Sequence, residues 1–145
     1  MGLKTGQVRP LVVCVFRHGD NILVAEGYDS VKREVFYRPL GGTIEFEERS
    51  QDALARELRE ELGAEVNSLR YLGTLENIFT YDDKPGHEIV LVYDGLFAER
   101  SMYARAELKG REYDGTTFKV VWKSLAEFRA GAARLYPDGL LALLS

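Results

Sequence analysis

The stretch GTIEFEERSQDALARELREELGA, from Gly42 to Ala64, sets its polar residues at fixed intervals: Gly42, five residues, Glu48, seven residues, Arg56-Glu57-Leu58, then Glu60-Glu61 and Gly63. Its centre reads as a helix. Ser50 is a good N-cap, Asp52 complements the positive helix end, and Gly63 suits a left-handed C-cap. Glu57, Glu60 and Glu61 stand at i, i+3 and i+4, so a helix projects them from one face. Leu54, Leu58 and Leu62 recur every fourth residue as a buried stripe, displaced by roughly 120° at 100° per residue. One face anchors and the other carries charge. Carboxylates held that close raise one another's pKa unless a cation sits among them. A hard divalent ion with oxygen ligands meets that need, and Mg²⁺ is the usual one where phosphates complete its shell. A charge-rich helix can also be a merely solvated face; the glycine and glutamate spacing argues for the metal.

Around this stretch the chain reads as one domain, residues 1–145, long enough to bury a core. Hydrophobic residues make up 46% and charged residues 29%, which is ordinary for a globular protein and gives no sign of disorder. A formal net charge of −4 argues against a nucleic-acid polymer as partner, because that binding needs many Lys and Arg contacts. Met1 to Pro10 lacks the apolar core of a signal peptide and no apolar run approaches a membrane span, so a cytoplasmic protein with no membrane partner is expected. The lone Cys14, flanked by Val13 and Val15, reads as an inert core thiol, and His18 and His87 are too few for a zinc cluster.

Strands are expected at Leu11–Phe16 and Ile22–Tyr28, joined by a hairpin turn over Arg17–Asn21, and at Val35–Tyr37, ending at Pro39. Gly41-Gly42 permits sharp turns and close approach by a ligand. Leu69–Phe79 reads as strand and Tyr81–Gly86 as a turn rich in breakers. Ile89–Tyr93 has the continuous apolar character of an interior strand. Arg100–Gly115 reads as loop with irregular structure, and Thr117–Trp122 as strand. Ser124 and Glu127 form a capping box opening a helix through Ala133, and a short apolar helix follows Pro137-Asp138-Gly139. Strands intermixed with a few helices indicate an α/β domain.

The Gly42–Ala64 stretch resembles the signature box of the Nudix hydrolases, which cleave nucleoside diphosphates linked to another group X. Every polar and glycine position matches; only Ala64 stands where the family prefers a bulkier aliphatic residue. The eight specified residues would coincide by chance on the order of once in 10⁹ registers, so accident does not explain them. The resemblance implies the Nudix fold, a mixed β-sheet sandwiched between α-helices, and Mg²⁺-dependent hydrolysis of a pyrophosphate bond, with Mn²⁺ as a substitute ion. Glu60 and Glu61 would be metal ligands, joined by the backbone carbonyl of Gly41. Glu57 would bind metal or act as base toward the attacking water. Gly42, Glu48, Arg56 and Gly63 would support the box, Arg56 by steadying the neighbouring glutamates. The partner implied is a small-molecule nucleotide: a nucleotide sugar, ADP-ribose, a nucleoside triphosphate or a dinucleoside polyphosphate.

Outside the box, Arg38 lies where a guanidinium could meet a phosphate, or could form a surface ion pair. Glu88 reads either as a further ligand or base toward the substrate or as an ordinary exposed glutamate at a strand end, and both residues are carried forward as substrate-binding candidates. Tyr71, Phe79, Tyr81, Tyr93 and Trp122 include rings that could stack a nucleobase, though strand and core roles are commoner. His87 reads as a partly exposed turn residue. Many relatives place proline directly before the two glycines; here the order is Pro39-Leu40-Gly41-Gly42. Rival functions are a non-catalytic nucleotide sensor, which would have a broken box, and a diphosphate isomerase of related fold, which would show altered spacing. Abundant apolar strand surface suggests a homodimer.

Overall fold

The computed structural model describes residues 6–144; the first five residues of Met1–Pro10 and the last of the expected 1–145 domain lie outside. Strand β1 (Val8–Val15) organises the molecule. It is apolar along its buried length because both of its faces are covered. Val12 and Cys14 face a cluster that contains Leu23, Ala25 and Val120 together with Leu54 and Leu58 of helix α1 (Ser50–Leu62). Leu11, Val13 and Val15 face a second cluster with Val90, Val92, Leu125, Phe128 and Leu140.

In one sheet β1 pairs antiparallel with β5 (Leu40–Thr43) and parallel with β7 (Lys84–Phe97), whose other edge carries β6 (Val66–Tyr81). The other sheet runs β10 (Arg134–Leu135), β4 (Glu34–Arg38), β3 (Asn21–Asp29), β9 (Thr117–Ser124), β8 (Glu107–Arg111), with β2 (Arg17–His18) folded onto β3 as a hairpin. Two short helices, α2 (Leu125–Arg129) and α3 (Leu140–Leu143), complete the α/β arrangement.

Several local readings change. Gly41-Gly42 is not a turn but part of β5, where Val13 pairs with Gly41 and Val12 with Gly42. A Cβ on Gly41 would stand 2.0 Å from the Val12 carbonyl oxygen, so glycine is demanded by the neighbouring strand. Ser50 opens α1 but does not cap it; its hydroxyl is shared with the Tyr93 hydroxyl at 2.7 Å, and Arg49 holds the cap position without a side-chain bond. Gly63 is the left-handed C-cap, at φ 64°. The turn read at Tyr81–Gly86 shrinks to Asp82-Asp83, both at positive φ as a tight two-residue hairpin requires, and β7 begins at Lys84. Arg100–Gly115 contains a 3₁₀ turn (Arg100–Ala104) and the whole of β8. The helix expected to reach Ala133 stops at Arg129, because Gly131 takes φ 78° and the Ala132 amide bonds back to the Glu127 carbonyl. Ser124 does cap it, accepting from the Ala126 amide. Cys14 is buried and its thiol pKa is pushed up by that burial, which keeps it unreactive.

Candidate active site

Helix α1 lies against β5, and that contact brings the box residues together. Arg56 is the hub. Its Nε and Nη2 grip both oxygens of Glu48 at 2.8 and 2.9 Å, Nη1 reaches Glu57 at 2.9 Å and Glu60 at 3.3 Å, and Nη2 also donates to the Thr43 carbonyl at 3.0 Å. Glu48 accepts the Glu45 amide as well, which fixes the loop between β5 and α1. The Arg56 hydrogen bond, aided by that amide, lowers the Glu48 pKa from 4.5 to about 2. The ion pair therefore contributes fully above about pH 4.5 and is lost as pH falls toward 2. Arg56→Lys keeps the charge but cannot grip Glu48 with two parallel bonds. It is expected to lower turnover about 10- to 100-fold, as loss of a residue that orients catalytic groups does. It should also move acid unfolding to higher pH; steady-state kinetics and an acid titration check both, and unchanged turnover would remove Arg56 from this role.

The three carboxylates of one helix face do not share one environment. Glu60 is more than half exposed and leans on Arg56. Glu57 is half-buried, packed so closely on Gly42 that a Cβ there would stand 2.3 Å from its carboxyl carbon; burial raises its pKa. Glu61 is turned inward beneath a cleft lined by Arg38, Gly41, Tyr81, Glu112 and Phe118. Burial lifts its pKa from 4.5 to about 8, opposed by the nearby charge of Arg38 and the Gly41 amide and reinforced by Glu57 and Glu112. Its Oε1 is buried and has no hydrogen-bond partner. An unpaired buried carboxylate oxygen is costly and calls for a cation or a donor.

Among the described residues, no three His, Cys, Asp or Glu side chains lie close enough to hold an ion between them. Arg56 holds Glu57 and Glu60 on its own guanidinium. The donor set still suits a divalent ion: hard carboxylate oxygens, one of them orphaned, beside a glycine whose missing side chain makes room for Glu57.

Arg38 stands with Glu61, as a residue meeting a phosphate would. Glu88 does not join them. Nor is it exposed at a strand end: it is 4% exposed, inside β7, and lines a neighbouring cavity that shares Arg38 and Tyr81 with the cleft. The expectation of exposure fails because β7 starts earlier than the breaker residues suggest, placing Glu88 between Arg9 of β1 and Asn77 of β6. His87, read as a turn residue, is half-buried in the same strand. Of the aromatic candidates, Phe79 and Tyr81 line that cavity, whereas Trp122 stacks on Tyr103 and Tyr71 packs on Tyr93. Sequence reasoning missed Glu112, which follows β8 directly and acts electrostatically on both Glu57 and Glu61. It lay in the stretch read as irregular and carried no motif.

A model of the NUDIX domain matches residues 7–140. The chain belongs to the Nudix family. A Nudix hydrolase from Nitrosomonas europaea superposes with a TM-score of 0.65 at 18% identity, covering 95% of this chain and 86% of that one. A MutT Nudix hydrolase from Burkholderia pseudomallei does so with 0.61 at 19% identity, covering 83% and 85%. These likenesses show the Nudix fold. The NAD-capped RNA hydrolase NudC of Citrobacter koseri is 35% identical over 66 residues, 46% of this chain. The chain spans about a quarter of the length of that curated relative.

Proposed function

We propose that residues 7–140 act as one catalytic domain that hydrolyses the pyrophosphate bond of a nucleoside diphosphate linked to a group X, giving a nucleoside monophosphate and phosphorylated X, with Mg²⁺ or Mn²⁺ as cofactor. Glu61 carries the reading: a carboxylate sunk under a cleft, with one oxygen unpaired and its proton held up to about pH 8, between the charges of Arg38, Glu57 and Glu112. Such a group is poorly suited to a structural role and well suited to a cation-assisted one.

Glu57, Glu60, Glu61 and the Gly41 carbonyl are the residues that would hold the ion. When bound, a divalent ion there offsets the charge that gathers on phosphate oxygens during the reaction. The remaining work belongs to the chain. Glu57, half-buried with a raised pKa, is positioned to take a proton from the attacking water, because a base is most effective when its pKa approaches the working pH. Arg38 pairs with a non-reacting phosphate and fixes its orientation. Arg56, tied to Glu48 and Thr43, keeps Glu57 and Glu60 from swinging into solvent. Glu112 supplies a further carboxylate facing the same cleft.

The test is a panel of ADP-ribose, a nucleotide sugar, NAD, a nucleoside triphosphate and a dinucleoside polyphosphate, each with and without Mg²⁺. NAD is included because the name of the Citrobacter koseri relative refers to an NAD cap. Release of two phosphorylated products only with metal is the expected result. Tight binding without turnover would establish a sensor, and rearrangement without cleavage an isomerase. The buried free Cys14 supports a cytoplasmic setting; among the described residues no helix is long and apolar enough to cross a membrane. A homodimer is supported by β6, which is the outer strand of its sheet and exposes Tyr71 and Ile78.

A further inference from the structure

Beside the cleft that holds Glu61, between the two sheets, lies a cavity whose walls are aromatic and whose floor is not. Phe36 meets Tyr81 and Tyr136 edge to face, with centroids 5.7 and 5.6 Å apart, and all three line the space with Phe79. Asn77 and Glu88, each 4% exposed, line the same space from β6 and β7, the sheet that also carries Phe79 and Tyr81 and that faces Phe36 of β4. A carboxylate that deep normally has every lone pair satisfied. This one does not. Glu88 Oε1 accepts only the long 3.5 Å contact from Asn77 Nδ2, and Oε2 has no hydrogen-bond partner; its charge is met by an ion pair with the Arg9 guanidinium at 3.8 Å, longer than a hydrogen bond. The amide orientation of Asn77 is settled by its other end, because Oδ1 accepts the Asp138 amide at 3.4 Å.

We propose that this cavity receives the nucleobase of the substrate and selects guanine, with Glu88 accepting the adjacent N1–H and 2-amino donors. The inference deepens the proposed pyrophosphohydrolase reading, on which it rests for the link between base and reaction. Flat aromatic walls suit a purine ring, but they would hold any base. Selectivity comes from the polar floor. A carboxylate offers two acceptors side by side and no donor, so it complements a planar edge with two neighbouring N–H groups, as in guanine. The corresponding edge of adenine pairs one amino donor with a ring-nitrogen acceptor, and placing that acceptor against Glu88 would leave two lone-pair groups facing each other. Arg38 and Tyr81 border both this cavity and the cleft of Glu61, so a base seated here directs its phosphates past Arg38 toward the box.

Equilibrium binding of GMP, IMP and AMP to the full chain, followed by titration calorimetry, tests the proposal without any bond being cleaved. GMP is expected to bind at least about tenfold more tightly than IMP, which lacks the 2-amino group, and than AMP, the scale of one lost hydrogen bond to a charged acceptor. Glu88→Gln replaces one acceptor by a donor at nearly equal volume, and should erase the preference for GMP over IMP while the variant's melting curve shows it folded. Equal affinity of the wild-type protein for GMP and IMP, or tighter binding of AMP, overturns the proposal whether or not the substitution folds. Because these ligands contain no pyrophosphate, failure of the hydrolytic reading would show in the substrate panel and leave this result standing.

Discussion

Glu61→Gln is expected to lower turnover by a factor of about 10² or more, the scale on which a preorganised charged group acts, while making the protein harder to unfold. The two effects share one cause. Wild-type Glu61 has its pKa raised from 4.5 to about 8 by burial, so the folded chain resists ionising it. Below pH 4.5 both folded and unfolded states keep the proton and there is no penalty. Between pH 4.5 and 8 the unfolded chain releases the proton and the folded one does not, so stability falls as pH rises, levelling off above 8. The accumulated cost is on the order of a few kcal/mol. Glutamine never ionises. The melting temperature of the variant should therefore match that of the wild-type protein near pH 4 and exceed it most near pH 8.5. Mg²⁺ binding adds a second readout, because an ion must displace the Glu61 proton: wild-type affinity should weaken as pH drops below about 8, and the variant should lack that dependence. Melting curves that stay parallel across the range, with unchanged turnover, would remove Glu61 from the site.

Gly41→Ala should be the most damaging single methyl group in the region. The added Cβ would stand 2.0 Å from the Val12 carbonyl oxygen and 2.7 Å from the Val13 Cα, both main-chain atoms of β1, and the residue holds φ 156°, which alanine rarely adopts. Neither neighbour can rotate aside, so β1 and β5 must separate. A loss of about 3 kcal/mol is expected from overpacking and backbone strain, equivalent to roughly 10 °C in melting temperature for a chain of this size. Gly42→Ala, one residue on, meets the movable carboxyl end of Glu57 instead. It should cost little stability but displace that carboxylate and lower turnover. Thermal denaturation beside kinetics separates the two; a Gly41→Ala protein as stable as wild type would refute the close approach of β5 to β1.

What could be read in the sequence was what local spacing determines. The helix, its leucine stripe and the Gly63 cap follow from intervals of three and four residues, and α1 spans Ser50–Leu62 with Leu54 and Leu58 fully buried. Ser50 misled because its hydroxyl found Tyr93, 43 residues away, in place of its own helix end. Strand β8 was invisible since only Leu108 among its side chains turns to the core, and Gly110 merely makes room for the Phe118 ring. Glu112, just beyond it, was lost with it. Glu88 was legible as a candidate but not as a buried one: its surroundings come from β1 and β6, and no spacing within its own strand announces them. The environments of the box carboxylates were likewise hidden, since identical residues one turn apart acquire different acidities only when β5 and the cleft close over one of them.

Strand β1 turns Val12 and Cys14 to the layer beneath α1 and Val13 and Leu11 to the layer beneath the aromatic cavity. The molecule is therefore a laminate with a common ply, and neither layer can loosen without slackening the other. Substitutions that repack the cavity side of β1 therefore act on the strand to which Gly41 and Gly42 are paired through Val13 and Val12.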